Sequence, residues 1–219
     1  MIDAAELTLD ELAVALAPAI ADSAVFDGWS DDAVAAAAQS EGVDPDVAAL
    51  AYPAGAMDMI EAWVTAIDRR MADELSAPAL AAMPVGKQVH EQLVFRLRET
   101  ASQREALRRA LAVMAMPKNV ARSARLGWRT ADLIWRLAGD TTTDLNHYSK
   151  RAILASIYAA TLNVFAQDDS EGQVDTYAFL DRRLDDIARF GKARARWSNP
   201  ERERFSLTRM LGRLRYPAR

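Results

Sequence analysis

A dense group of polar residues lies in the segment GDTTTDLNHYSKR, which begins at residue 139. Asp140, Asp144 and His147 are the residue types that an acid–base site requires, because carboxylates and imidazoles exchange protons readily. The same segment also fits the start of a helix: Thr142, Thr143 and Asp144 can accept hydrogen bonds from the first N–H groups, and early acids suit the helix dipole. We favour the helix cap over catalysis, and a docking surface is a third possibility.

Motifs of the common enzyme classes are missing from the sequence. It has no Gly-rich phosphate loop, no nucleophile elbow, no His-Glu-x-x-His zinc motif and no Glu-x-x-His pair for a di-iron bundle. Cysteine is absent, which excludes disulfides and thiolate chemistry, and His90 and His147 are too few for a histidine-rich metal site. We therefore expect no enzymatic activity, no metal and no cofactor.

The elements that must position these residues are helical. Apolar residues recur at three- and four-residue spacing, while glycine and proline fall between the periodic segments, a pattern typical of an all-α fold of about nine helices. In the N-terminal part, Ser30 fits a helix N-cap, Gly42 a helix end and Pro45 a first turn, and Pro117 ends a later helix. The predicted helices cover residues 9–23, 30–42, 44–50, 57–71, 87–98, 104–116, 119–140, 152–165 and 173–190.

Charge is divided unevenly along the chain. The first 68 residues contain 14 acidic side chains and no Lys or Arg, whereas the remaining 27 basic and 17 acidic residues give +10. Two short helices joined by Ser-Glu-Gly-Val, followed by a long amphipathic helix, resemble the helix-turn-helix end of TetR-type regulators. Binding to DNA depends on cations that meet phosphates, yet the second short helix carries Asp44 and Asp46. We expect the helix-turn-helix fold without nucleic-acid binding; a TetR-like ligand-responsive regulator is the alternative.

Two segments have apolar faces that need partners. The run AILASIYAATLNVF is apolar on more than one face, so it is either a central core helix or is shared with a second protomer. The last segment, NPERERFSLTRMLGRLRYPAR, fits a basic amphipathic helix, which either binds an anionic membrane surface or packs on its own domain. Its predicted membrane-binding residues are Leu207, Arg209, Met210, Leu211, Arg213 and Leu214.

No stretch has the roughly 18 consecutive apolar residues of a membrane-spanning helix, and the acidic N-terminus lacks the basic start of a secretory signal. We divide the chain into an acidic helix-turn-helix-like region, 1–75, a helical region, 76–196, and the basic amphipathic segment, 197–219. Residues 193–200 look most like a linker.

Three segments resemble the ubiquinone biosynthesis accessory protein family, the lipid-binding TetR-like group: MAMPKNV, ADLIWRLAGDTTTDLNHYSKRAILASIYAATLNVFAQDDS and DTYAFLDRRLDDI. The resemblance covers roughly residues 26–196. The family pattern of Trp, Gly-Asp, Thr-Asp, Asn, Tyr and two basic residues is met by Trp135, Gly139, Asp140, Thr143, Asp144, Asn146, Tyr148, Lys150 and Arg151.

This resemblance implies a TetR-like homodimer that is not an enzyme, holds an isoprenoid or quinone lipid, touches the membrane, and partners the di-iron hydroxylase of the pathway. It would be cytoplasmic and peripheral on the inner membrane of a bacterium, or on the matrix side of the mitochondrial inner membrane. His147 departs from the pattern, because many relatives have a second aromatic residue there. The implied lipid-binding residues are Met114, Met116, Trp128, Ile153 and Ile157; the partner-docking residues are Asp132, Ile134, Trp135, Asp144, His147, Tyr148 and Arg151.

Overall fold

The computed structural model describes residues 6–75, 77–143 and 145–198. These residues form ten α-helices and no β-strand, which confirms the predicted all-α fold. Short 3₁₀ turns, Ala101–Gln103 and Glu171–Gln173, precede the seventh and tenth helices. The helices are α1 (Leu9–Asp27), α2 (Asp31–Glu41), α3 (Pro45–Leu50), α4 (Ala56–Glu74), α5 (Ala77–Ala81), α6 (Val85–Glu99), α7 (Arg104–Met114), α8 (Val120–Leu137), α9 (Leu145–Gln167) and α10 (Val174–Ser198).

Side-chain caps set the bounds of the first helices. Ser30 accepts a hydrogen bond from the backbone N–H of Ala33 at the start of α2, and Gly42 ends that helix with φ near 74°, in the left-handed region. Asp44 caps α3, with Pro45 in its first turn. These three predicted helix bounds are confirmed, whereas the short helix α5 was not predicted.

The N-terminal helices and α7 share one apolar core. The indole rings of Trp29 and Trp63 lie 5.3 Å apart. The Trp29 Nε1–H donates to the carbonyl of Ala106, and the Trp63 Nε1–H donates to Gln103 Oε1. Both indoles therefore bury their rings with their one donor satisfied, and they tie the helix-turn-helix-like region to α7 and to the 3₁₀ turn that precedes it.

The helix α9 packs on one side only. Leu154, Tyr158 and Phe165 are buried against the core, while Ile153 and Ser156 on the other side are exposed. The prediction of a central core helix is therefore wrong for this chain alone. Sharing of the exposed side with a second protomer stays a prediction.

The tenth helix continues further than the sequence indicated. Residues 193–198, predicted as part of a linker, are helical, because α10 extends to Ser198. None of the described helices is both long enough and apolar enough to cross a bilayer. The predicted amphipathic helix and its membrane-binding residues lie almost wholly outside the described residues, namely Leu207, Arg209, Met210, Leu211, Arg213 and Leu214.

Asp168 fixes the corner between α9 and α10. Its carboxylate accepts hydrogen bonds from the backbone N–H of Ser170 (2.9 Å) and of Thr176 (2.8 Å), and from both hydroxyls. Burial alone would raise the pKa of Asp168, but these hydrogen bonds outweigh it and hold the pKa well below its usual range. The carboxylate thus remains charged and closes the first turn of α10.

We expect Asp168→Ala to lower the free energy of unfolding by about 2 kcal/mol, because a helix cap and several buried donors lose their acceptor. Urea denaturation followed by circular dichroism measures the change. The matched control is Asp169→Ala, since that neighbouring side chain is 96% exposed and its ion pair with Arg104 is long, at 3.7 Å. Equal stabilities of the two variants would contradict the capping role.

Candidate functional site

A cavity of about 550 Å³ lies between α4, α6, α7, α8 and α9. This volume falls within the range of small-molecule sites, roughly 300–1,000 Å³. Most of its walls are apolar, and each of the five helices contributes to them. Among the apolar lining residues are Ile60, Trp63, Val64, Ile67, Leu107, Leu111, Met114, Leu126, Trp128 and Leu162.

The cavity reaches the surface between α8 and α9. Ala124 of α8 and Ser156 and Ala159 of α9 line the cavity and are exposed, so they belong to its mouth. Gly127 lies in the same wall, where an added Cβ would be 4.0 Å from the Cβ of Ala155. Small side chains on the two facing helices leave the opening that larger ones would fill.

One end of the cavity is polar. Arg96 and Thr130, which both line it, are almost completely buried and meet the carboxylate of Asp68. Arg96 donates from Nη1 to Asp68 and from Nε to the hydroxyl of Tyr158 (2.9 Å), while Thr130 donates to Asp68 at 3.3 Å. The Arg96 guanidinium also lies over the Tyr158 ring, 5.1 Å from its centre.

Only two of the five predicted lipid-binding residues line the cavity. Met114 and Trp128 line the cavity, whereas Met116 and Ile153 are each 44% exposed and do not line it. Ile157 packs against the core without reaching the cavity. The lining positions of α9 include Ala152, Ala155, Ser156 and Ala159, which the sequence did not indicate. Lipid binding by the five residues stays a prediction.

A buried network holds the corner between α8 and α9. Arg151, with a side chain only 2% exposed, donates from Nε to Asp132 (2.6 Å) and from Nη1 to Asp140 (3.2 Å). Lys150 Nζ lies 2.6 Å from the other oxygen of Asp140, and Thr142 donates to the same carboxylate. Burial alone would raise the pKa of Asp140, but its hydrogen bonds lower that pKa to about 2.

This network corrects the acid–base interpretation of the polar segment. A carboxylate bound by two cations at neutral pH is held as an anion, so Asp140 is poorly suited to donate or accept a proton. His147 Nδ1 lies 2.9 Å from the carbonyl of Thr142. Asp144 lies outside the described residues. The described part of the segment therefore acts as a helix corner, and the described residues contain no cluster of three His or acidic side chains that could hold a metal.

The exposed side of the corner carries an aromatic patch, which we define as Trp135, His147 and Tyr148. Tyr148 is 60% exposed, and the His147 ring meets it edge-on at 5.1 Å. Trp135 is partly buried, with its Nε1–H donating to the carbonyl of Lys150 and the Lys150 ammonium 5.2 Å from its ring centre. Aromatic residues rimmed by charge are typical of protein interfaces.

Two of the predicted partner-docking residues cannot belong to a surface. Ile134 is 0% exposed because it faces the core, and Arg151 is buried beneath Asp132 and Asp140. Asp132 itself keeps about a quarter of its side chain exposed. The sequence alone does not show which predicted docking residues are buried. Ile134 and Trp135 are neighbours on one helix, yet Ile134 faces the core and Trp135 belongs to the aromatic patch.

Trp128 connects the cavity to the patch. Its indole lines the cavity and also lies 6.1 Å from the Tyr148 ring, so one side chain borders both features. The cavity and the aromatic patch are thus separated by one side chain.

The helix-turn-helix-like region differs from this basic and aromatic corner. Its described residues up to Asp68 contain no Lys or Arg, and Val47 and Leu50 of α3 are exposed. A DNA-binding helix needs cations facing the phosphates. The charge pattern therefore disfavours nucleic-acid binding on this face.

The fold is that of the TetR-like helical proteins. A crystal structure of a TetR transcriptional regulator from Nitrosomonas europaea is similar over 80% of this chain and 98% of its own, with a TM-score of 0.61 and 23% sequence identity. At that identity the likeness establishes the fold alone.

Within that fold, the sequence is similar to a particular family. Residues 120–191, which contain α8, α9 and much of α10, match the COQ9 family model. The rat protein "Ubiquinone biosynthesis protein COQ9, mitochondrial" is 33% identical over 171 residues, and the human protein of the same name is 32% identical. Each match covers 75% of this chain and 54% of the relative, so the chain spans about half the length of these relatives. The chain is thus related to the COQ9 proteins, which confirms the resemblance noted from the sequence.

The contribution of Asp140 to stability should depend on pH. Since its pKa is about 2 in the folded chain, against an ordinary value of 3.8, its charge stabilises the fold above about pH 4, and this is lost as the pH falls toward 2. We expect Asp140→Asn to cost about 2 kcal/mol at pH 7 and progressively less below pH 4.

Chemical denaturation of both proteins across pH 2–7 measures that difference. The control is Asp185→Asn, because the Asp185 side chain is 71% exposed and 3.8 Å from its partner Arg189. A pH-independent difference between Asp140→Asn and the wild type would contradict the assigned network.

Proposed function

We propose that this chain is a non-enzymatic, lipid-binding accessory protein of ubiquinone biosynthesis, which holds an isoprenoid quinone precursor and presents it to the di-iron hydroxylase of the pathway. The observation that carries the proposal is the apolar cavity whose wall, at Trp128, is also the support of the exposed aromatic patch. The similarity to mitochondrial ubiquinone biosynthesis proteins is the reason for proposing that pathway.

The physical need for such a protein follows from the ligand. A polyprenyl tail is nearly insoluble, because each CH₂ removed from water contributes about 0.8 kcal/mol. An enzyme in water would rarely meet the ring of such a molecule at a useful concentration. An apolar cavity beside a partner-binding surface keeps the ring within reach of the partner while the tail stays out of water.

The proposal assigns different roles to the cavity and to the aromatic patch. Met114 and Trp128 hold the lipid, and Trp135, His147 and Tyr148, with Asp132 at the rim, dock the hydroxylase. Arg151 positions the two helices without touching either ligand. We further propose a homodimer through α9 and α10, and attachment to the inner membrane, on the matrix side in a mitochondrion, through residues 197–219.

A large side chain at the mouth should exclude the lipid. Ala124 is exposed and lines the opening, so Ala124→Trp fills it at little cost to the core. We expect about ten-fold less co-purified lipid, measured by native mass spectrometry and by identification of the organic extract.

The matched control is Ala121→Trp, because Ala121 is exposed on the same helix and does not line the cavity. The control should carry as much lipid as the wild type. If Ala124→Trp retained its full lipid load, the cavity would not be the binding site.

Removal of the exposed aromatic ring should weaken hydroxylase docking. We expect Tyr148→Ala to reduce affinity for the purified hydroxylase about ten-fold, which is about 1.4 kcal/mol, as measured by calorimetry. Ser149→Ala, an exposed neighbour, is the control and should bind like the wild type. An unchanged affinity of Tyr148→Ala would place the partner elsewhere.

A further inference from the structure

The outer side of α3 is uncovered in the described part of the chain. Asp46, Val47, Ala49 and Leu50 are exposed, while Ala48 packs into the core. Leu50 is 64% exposed and Val47 39%. Apolar side chains that adjoin one another in water, rather than being scattered, indicate a binding surface. We define Asp46, Val47, Ala49 and Leu50 as the α3 face.

The surroundings of the α3 face are acidic. Asp44, which caps α3, is exposed, as are Asp31 and Asp32 at the start of the preceding helix. The first 68 residues contain no Lys or Arg that could neutralise these carboxylates. Their combined negative potential repels acidic surfaces and attracts basic ones. A partner that fits the α3 face therefore combines apolar side chains with positive charge.

Residues 199–219 of the same chain have this chemistry. They lie outside the described residues and follow directly after the end of α10 at Ser198. They contain six Arg and two Glu, which gives a net charge of +4. Their sequence, placed on a helix, brings four apolar residues to one side with Arg on both flanks, namely Leu207, Met210, Leu211 and Leu214. An apolar side with a basic rim complements an apolar face with an acidic rim.

The length of this segment is sufficient for a contact within one chain. Its 21 residues span about 70 Å when extended, at about 3.3–3.6 Å per residue. A domain of this size has a radius of gyration of about 16 Å, and therefore a diameter of about 40 Å. The segment can thus reach α3 from the end of α10 without any rearrangement of the helices.

We propose that residues 199–219 bind the α3 face of their own chain when no membrane is present. Val47 and Leu50 then pack on the apolar side of the segment, and the carboxylates of α2 and α3 pair with its arginines. The α3 face, which lacks the cations that a phosphate backbone requires, is suited to a cationic peptide.

The contact goes beyond the proposed function, because it makes membrane attachment conditional. The same apolar and basic side chains are assigned to the membrane, so one segment cannot occupy both places at once. Anionic lipid therefore competes with the α3 face for residues 199–219. This competition rests on the proposed membrane attachment, whereas the contact within the chain does not.

Paired cysteines in the full-length protein test the contact, because the chain contains no natural cysteine. The first pair is Ala49→Cys on the α3 face with Ser206→Cys in the segment. The control pair is Ser206→Cys with Ala121→Cys, an exposed alanine of α8. Non-reducing electrophoresis and peptide mapping follow disulfide formation in oxidised glutathione. We expect the first pair to close about ten-fold faster within one chain, because a bound segment raises the effective concentration of its thiol.

A variant of the face tests the apolar contribution. Leu50→Lys, added to the first pair, should slow closure about ten-fold, because it replaces an apolar contact with a charge that repels the arginines. A lysine beside a thiol by itself favours the reactive thiolate, so slower closure reports the lost contact. The matched control is Val174→Lys, since Val174 is 59% exposed at the start of α10. If Leu50→Lys does not fold, the comparison of the two cysteine pairs still decides.

Added salt and vesicles test the charge contribution and the competition. Salt at 1 M shortens the Debye length to about 3 Å, from about 10 Å at 0.1 M, and should slow closure of the first pair. Vesicles of phosphatidylcholine with phosphatidylserine should slow it as well, whereas pure phosphatidylcholine should not.

The outcomes separate this inference from the proposed function. Equal closure rates for the two cysteine pairs would overturn the contact. A disulfide that joins two chains would also overturn it, because the α3 face would then be an interface between copies. If the two pairs differ but anionic vesicles change nothing, the contact stands and the proposed membrane attachment fails. Loss of lipid binding in the cavity affects none of these measurements.

Discussion

The buried guanidinium of Arg151 holds α8 against α9, and both functional features lie between or beside these helices. Its ion pairs reach Asp132 on α8 and Asp140 in the connection that follows, so one side chain of α9 is bonded to two successive segments. The cavity mouth opens between the same two helices, and the aromatic patch lies on their outer side. Arg151, which the sequence predicts as a partner-docking residue, is therefore buried, and it supports the aromatic patch from below.

The fold and the local bounds of helices could be predicted because they depend on neighbouring residues. Ser30, Gly42 and Pro45 act within one turn of their own positions, which a sequence displays directly. The cavity could not be predicted in this way. Its polar end joins Asp68, Arg96 and Tyr158, with separations of 28 and 62 positions, and no periodicity along one helix indicates that meeting.

Large apolar size was an incomplete guide to the lining, for a geometric reason. Whether a residue lines the cavity depends on the side of its helix as well as on its size. On α9 the lining includes the small residues Ala155, Ser156 and Ala159 together with Tyr158 and Leu162, while Ile153 points to the outside. The same rule separates Ile134 from Trp135, since successive residues of a helix point about 100° apart and only one of the two can face the core. Helix phase, more than residue size, decides which side chains meet a ligand.

The position of Trp128 would couple the two proposed ligands thermodynamically. The indole is part of the cavity wall and the neighbour of Tyr148, so a lipid that displaced it would also change the surface offered to the proposed partner. Coupling free energies are reciprocal: whatever factor a lipid applies to the affinity of the partner, the partner applies to the affinity of the lipid. Under the proposed function, a lipid-loaded and an empty molecule would then differ in partner affinity through the position of one indole ring.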